Sequence, residues 1–359
     1  VTGRDEALRA FLSDEIRSGA MPSAAWWVGD RGGVLSHGVL GHAVLIPHKE
    51  PARDDTPYDL ASLTKPLATA LSALALESDR RLGLDEPLDE AFPQLRASPF
   101  AGATLRDAAA HRARLPAWMP LYAAGSSREA YLTAIAAAPP GPADATVYSD
   151  LGYLLLGFAL ESAAGRSLDL VFDDRIAQPL GLNRCGFPGS GSGFSAAAAT
   201  ERGNAYERRL AGESTAGYPF RTAMIRGHVH DGNAWALGGV AGHAGLFATP
   251  AAVGAIAGAI LDPATIGLPT FALTAMLRPA SERTGSRTFG FLRAADAESV
   301  RGILPSDAIG HFGFTGTSIW IDPARPRVYV LLTNRVHPDV PGVDFTRTRR
   351  GFHERAAAL

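Results

Sequence analysis

The sequence predicts an α/β (α+β) protein: an antiparallel sheet flanked by helices, built from both chain ends and interrupted by a large all-helical insertion. Two observations predict it. Strand-like runs lie near the two termini while Ala- and Leu-rich helical runs fill the middle, and 359 residues with 46% hydrophobic composition can bury a sizeable core.

Between residues 5 and 17, Leu8, Phe11, Leu12 and Ile16 recur at helical spacing and Gly19 ends the run, which predicts an amphipathic helix packed on the sheet. Residues 24–28 and 34–39 read as strands joined by the turn Gly29-Asp30-Arg31-Gly32-Gly33, a hairpin. Helical runs at 67–76, 128–138, 151–164 and 251–261 alternate with Pro/Gly loops. Strands return at 288–293, 310–314, 317–321 and 328–332, followed by a charged helical tail from Asp344. The expected division is a sheet domain of residues 1–60 plus 284–359 and a mostly helical domain of residues 61–283, with the active site in the cleft between them. Gly189-Ser190-Gly191-Ser192-Gly193 reads as a flexible loop.

Composition excludes several classes of function. Lys+Arg 34 against Asp+Glu 36 gives a net charge of −2 without a dense basic run, so nucleic acid is not an expected partner. No apolar stretch reaches the ~18 residues of a membrane span. The single cysteine, Cys185, excludes an intramolecular disulfide and a multi-cysteine metal site. The chain starts at Val1, which leaves the compartment open: extracytoplasmic if an export signal preceded it, cytoplasmic otherwise. Oligomeric state has no signal in the sequence. Among the 34 basic residues only Lys49 and Lys65 are lysines, so chemistry that needs a deprotonatable amine has two candidates.

Nucleophile-elbow, P-loop, dinucleotide-binding and zinc-protease motifs are absent. His228, His230 and His243 are expected to serve loop hydrogen bonding rather than a metal, and no metal or organic cofactor is expected.

The informative segment is Asp59-Leu60-Ala61-Ser62-Leu63-Thr64-Lys65-Pro66. Pro66 lacks an N–H and clashes with a preceding turn, so the helix that follows starts just before it and Ser62 lies at its N-terminus. Lys65 comes three residues later, on the same face, where its amine reaches the serine hydroxyl. The helix end adds N–H groups and partial positive charge, which favour a developing oxyanion. To act as a base at neutral pH a lysine must fall from ~10.4 to ~7, so a Lys65 depressed by burial and a neighbour is expected. The plain alternative is an N-capping serine followed by a solvated lysine. The scarcity of lysine in the chain favours chemistry.

Two further stretches follow in order: Tyr148-Ser149-Asp150, opening the helix over 151–164, and His311-Phe312-Gly313 on a late strand. Ser-x-x-Lys, Tyr-x-Asn/Asp and Lys/His-x-Gly in this order resemble the serine β-lactamase and penicillin-binding-protein superfamily, in its branch of class C β-lactamases, DD-carboxypeptidases and β-lactamase-like esterases. His111-Arg112-Ala113-Arg114-Leu115-Pro116 and the glycine-rich run from Gly238 to Phe247 are similar to further stretches of that branch. The resemblance implies a β-lactamase/transpeptidase-like fold. It implies catalytic roles for Ser62 (acylated nucleophile), Lys65 (its proton partner) and Tyr148 (proton shuttle to the leaving group). Asp150, His311, Gly313 and Phe314 would bind substrate, and the backbone N–H groups of Ser62 and Phe314 would form the oxyanion hole. Whether Lys65 or Tyr148 is the resting base stays open. Plain alternatives exist here too: Asp150 as a helix N-cap, Tyr148 as a core aromatic and His311 as a solvent-facing strand residue.

Of three departures from the pattern, His311 and Phe312 argue against an efficient β-lactamase, while Arg114 is expected to alter only a turn. His311 stands where most true β-lactamases carry lysine, and a histidine gives a weaker, pH-dependent positive charge for a substrate carboxylate. Phe312 removes a threonine hydroxyl, and Arg114 stands at a usual glycine. The expected function is a serine hydrolase that opens an amide or ester through a Ser62 acyl-enzyme, on a small-molecule or peptide substrate: a D-amino-acid or peptidoglycan-type peptide, a β-lactam or a small ester. The alternatives are a genuine class C-like β-lactamase and, from another class, a penicillin- or peptidoglycan-binding sensor with little turnover.

Overall fold

The computed structural model describes residues 3–143, 145–188, 194–280, 286–340, 342 and 344–359. The strands in chain order are β1 (Ser23–Asp30), β2 (Gly33–Val44), β3 (Glu50–Pro51), β4 (Tyr58–Asp59), β5 (Ala199–Arg202), β6 (Met224–Arg226), β7 (Phe247–Ala248), β8 (Leu292–Arg293), β9 (Ile309–Phe312), β10 (Ser318–Asp322) and β11 (Arg327–Thr333). Seven of them form one antiparallel sheet in the order β3-β2-β1-β11-β10-β9-β8, so its centre joins the first strand of the chain to the last.

The two-residue period of β1 sends its side chains to two cores. Ala24, Trp26 and Val28 face one side with Tyr329 and Leu331 of β11, covered by Leu8 and Leu12 of helix Gly3–Arg17 and by Phe352 and Ala356 of helix Thr346–Ala357. Ala25 faces the other side with Val328, Val330 and Leu332, against Val253, Ile256 and Ala257 of helix Pro250–Leu261. Each fully buried Leu, Val or Phe in these layers contributes about 1.5–3 kcal/mol of transfer free energy. The largely apolar helices Leu71–Ser78 and Asp150–Ala164 are buried along most of their length within the second core.

The terminal helices and the hairpin form as expected, but the middle of the chain is not all helical. β4 pairs with β7, and β5 pairs with β6. Segments of two to four residues carry no readable periodicity, and these pairings join residues far apart in sequence. Of the strand expected over 288–293 only Leu292–Arg293 remains, because Gly290 at φ +96° folds the chain back so that Arg287 bridges Leu292. The strand expected over 310–314 stops at Phe312, where Gly313 N–H donates to the Thr317 carbonyl (2.8 Å) and closes a turn holding Phe314. The glycine-serine run 189–193 lies outside the described residues. Among the described residues no helix is long and apolar enough to cross a membrane.

Candidate active site

Ser62 is presented by a constrained turn. β4 ends at Asp59, and its carboxylate Oδ1 accepts the Ala61 N–H (2.8 Å). Ala61 sits at φ +48°, a left-handed conformation that turns the chain sharply into the 3-10 turn Ala61–Leu63. Pro66 follows in a wide turn, Lys65–Ala70, that leads into helix Leu71–Ser78.

Lys65 is fully buried, and its Nζ lies against oxygens of Ser62, His243 and Asp150. It donates to Ser62 Oγ at 2.8 Å and to the His243 carbonyl at 3.2 Å, and it pairs with Asp150 Oδ1 at 2.7 Å. Nζ also lies 5.0 Å from the centre of the Tyr148 ring. Burial is the largest single influence on Lys65 and disfavours its charge. The Asp150 carboxylate and then Tyr148 act the other way and together prevail, so the pKa lies above the ordinary lysine value.

Tyr148 is locked from behind. His111, buried and at φ +60°, accepts the Ser149 N–H on Nδ1 (3.0 Å) and packs its ring 4.6 Å from that of Tyr148. Ser149 caps helix Asp150–Ala164 by accepting the Gly152 N–H, which leaves Asp150 at the first helical position, free to reach Lys65. Arg287 lies over the Tyr148 ring, 5.2 Å from its centre.

These residues open onto one cavity of about 440 Å³. It is lined by Ser62, Tyr148, Asp150 and Arg287, by His311, Phe312, Gly313 and Phe314, and by Trp118, Tyr206, Glu207, Leu210 and Asp231. The Phe314 ring is held between Tyr206 (4.9 Å) and His230 (5.6 Å, near-parallel). His311 is buried, and its Nδ1 lies 2.9 Å from the Phe312 carbonyl, which can only accept. Burial, then Lys65 and Arg287, hold its pKa well below the ordinary histidine value. Its Nε2 has no partner among the described residues.

The sequence profile of the beta-lactamase family matches residues 7–350. The chain belongs to the beta-lactamase family. It is a serine hydrolase of that family, similar to a putative D-alanyl-D-alanine carboxypeptidase of Escherichia coli (strain K12), 31% identical over 324 residues, 83% of this chain and 73% of the relative. A protein of the same description from Salmonella typhimurium is 30% identical over 325 residues, covering 83% of this chain and 74% of its own. Among solved structures, EstCE1, described as a hydrolase with promiscuous acyltransferase activity, superposes with a TM-score of 0.76 at 20% identity over 99% of this chain and 98% of its own. A class C beta-lactamase from Rhodobacter sphaeroides gives 0.72 at 20% identity over 97% and 98%, which at that identity speaks for the fold.

Within this beta-lactamase family fold the structure brings together Ser62, Lys65, Tyr148, Asp150, His311, Gly313 and Phe314; it corrects the expectation for Lys65 and discards three plain alternatives. Lys65 is raised rather than depressed, because the carboxylate at position 150 lies against it. Asp150 is not the helix cap; Ser149 is. His311 neither faces solvent nor offers a positive charge, since burial and two neighbouring cations keep it neutral. Tyr148 is a wall of the cavity rather than a core aromatic. Arg114, at the position of a usual glycine, adopts φ +58°, the conformation that glycine would take without strain.

Sequence reasoning missed Arg287, Trp118, Tyr206 and Glu207, none of which belongs to a local motif, and the role of Asp59, whose partners Ala61 and His230 are backbone N–H groups. His230 and His243 do serve hydrogen bonding: His230 Nε2 lies 2.9 Å from Glu201 and His243 Nε2 lies 2.8 Å from Asp231. Among the described residues no cluster suits a metal ion. Burial pushes Glu207 up to about 8 and the Cys185 thiol up to about 12, which leaves the latter an inert thiol.

Proposed function

We propose that this serine hydrolase cleaves the terminal amide of D-amino-acid peptides of the peptidoglycan-stem type through an acyl-enzyme on Ser62. The observation that carries the reading is the 2.8 Å contact between Ser62 Oγ and the buried Lys65 Nζ at the edge of a cavity large enough for a short peptide. The names of the curated relatives support the substrate class.

In this reading Ser62 Oγ attacks the substrate carbonyl while its proton passes to the Lys65–Tyr148 pair. The backbone N–H groups of Ser62 and Phe314 receive the oxyanion. Tyr148 then delivers a proton to the leaving nitrogen, the C–N bond breaks, and water later cleaves the ester in the reverse proton sequence. Lys65 donates to Ser62 Oγ at rest, so the ammonium must give up a proton before the serine does. The Asp150 carboxylate is then better placed to regulate that ammonium than to bind the substrate amide. The unit of residues 61–283 contributes Ser62, Lys65, Tyr148 and Asp150, and the sheet unit contributes His311 to Phe314. The relatives' cell-wall substrate favours an extracytoplasmic location.

A second reading, hydrolysis of small esters, has its own support. Phe312 replaces a hydroxyl, His311 is uncharged, and Trp118, Tyr206, Leu210 and Phe314 give the cavity lining an apolar character suited to an acyl chain. A D-Ala-D-Ala peptide, p-nitrophenyl butyrate and a chromogenic cephalosporin, each run against wild type, Ser62→Ala and Lys65→Arg, rank the readings. Expected is peptide turnover that falls at least about 10³-fold in both variants. A stable penicillin adduct on Ser62 without turnover of any substrate would instead identify a sensor. Equal activity of wild type and Ser62→Ala would sink the acyl-enzyme.

A further inference from the structure

The third oxygen around Lys65 is a backbone carbonyl, that of His243, and a backbone carbonyl is only as well placed as the segment that carries it. Residues 242–246 are stitched to the nucleophile's own helix at two points. Thr69 Oγ1 donates to the Gly242 carbonyl (2.7 Å), and Thr64 Oγ1 accepts the Leu246 N–H (3.1 Å). Gly242 packs so closely on the Tyr153 carbonyl that an added Cβ would stand 2.0 Å from it. What orients residue 243 itself is its side chain: the imidazole is buried, and Nε2 lies 2.8 Å from Asp231 Oδ1.

Asp231 is fixed in turn. The same Oδ1 accepts the Ala234 N–H (2.8 Å) at the start of helix Gly232–Ala236. The preceding residue, His230, donates its backbone N–H to Asp59 Oδ2 (2.8 Å), while Asp59 Oδ1 holds Ala61 N–H and the Asp59 carbonyl accepts from Thr315 Oγ1 (2.8 Å). The contacts therefore close a circuit: Ser62 to Lys65, to the His243 carbonyl, through its imidazole to Asp231, along one peptide to His230, to Asp59, and back through Ala61 to Ser62.

We propose that Asp231 and His243 are positioning residues for Lys65, which aim the His243 carbonyl so that the ammonium points one N–H at Ser62 Oγ. This rests on the assignment of Ser62 and Lys65 above. The pair acts through Lys65 and touches no reacting atom.

The test measures phosphonylation of Ser62 by a p-nitrophenyl phosphonate, in which Ser62 Oγ bonds to phosphorus and p-nitrophenolate leaves. It needs no knowledge of the natural substrate. Asp231→Ala is expected to lower the maximal labelling rate about 10- to 100-fold, with half-saturation within about threefold, as a displaced catalytic group does. Asp231→Asn, which still accepts from the imidazole, is expected to recover most of that loss. A folded Asp231→Ala protein labelled at the wild-type rate overturns the proposal, as does a loss seen only in half-saturation, which would make the pair a substrate contact. Should Asp231→Ala not fold, His243→Gln decides: a loss of about three- to tenfold supports the proposal and a wild-type rate overturns it. If wild type itself is never labelled, the assignment of Ser62 fails first and takes this inference with it.

Discussion

Asp150 Oδ1 lies 2.7 Å from Lys65 Nζ, so the lysine that stands beside Ser62 is held as an ammonium by a carboxylate at the start of another helix. Replacing Asp150 with asparagine leaves burial, the largest influence on Lys65, opposed only by Tyr148, and the lysine pKa falls. Because the proposed mechanism needs that ammonium to release a proton, the acid limb of kcat/KM is expected to move to lower pH in Asp150→Asn by about 1–3 units, the usual effect of a removed opposite charge. A pH–rate profile of an activated ester from pH 5 to 10 checks this. An unmoved limb would mean that Asp150 does not govern Lys65.

Arg287 is the second target. Its guanidinium lies in the cavity over Tyr148, with no carboxylate partner among the described residues. Arg349 and Arg335 line the same cavity but are held by backbone carbonyls, Arg349 by Gly313 (2.7 Å) and Thr317 (3.1 Å), Arg335 by Phe314 (3.3 Å) and Gly342 (2.8 Å). With His311 neutral, Arg287 is the cation best placed for a substrate carboxylate. Arg287→Met is expected to lower kcat/KM about 10- to 100-fold on a peptide ending in a free carboxylate, the worth of a hydrogen bond to a charged group. Its C-terminal amide should lose much less. Equal losses on both would remove the carboxylate from the account.

The third prediction concerns stability rather than turnover. His353 is completely buried beside Ser318, and burial, aided by Arg349, pulls its pKa down to about 3. The unfolded chain takes up a proton there near pH ~6.5. The folded protein does not until about pH 3. His353 therefore has no proton-linked cost above pH ~6.5, and stability falls as pH drops below it, by about 1.4 kcal/mol per pH unit. Thermal melts at pH 7.5 and pH 5 should show a smaller drop in Tm for His353→Gln than for wild type. Equal drops would mean that this histidine titrates freely in the folded state.

Much of the site is legible in one dimension because its parts are local. Ser62 and Lys65 are one turn apart, Tyr148 opens its helix two residues before Asp150, and His311 sits on a strand. The state of Lys65 is not local, since it depends on a carboxylate 85 positions away in sequence. The same distance hides Arg287, which enters the cavity only because Gly290 folds its segment back. It hides β4 as well, a two-residue strand whose partner, β7, lies some 190 residues later. The large sheet was legible from strand runs at the two ends. The central pairing of β1 with β11 follows once the terminal helices need a common surface to cover.

That pairing has a consequence for how the protein is made. Ala24 of β1 meets Thr333 of β11 across about 300 residues of intervening chain. At ~5–20 residues per second of synthesis, β1 waits roughly 15–60 s for its neighbour. Until then the hairpin of β1 and β2 offers an open edge and two unpaired apolar faces, while Ser62 and Lys65 already exist without the wall of His311 to Phe314 opposite them. The nascent chain therefore lacks the wall of His311 to Phe314 until about 250 residues after Ser62 have been added, and a chaperone that shields the exposed β1 edge would act on its yield rather than on its rate.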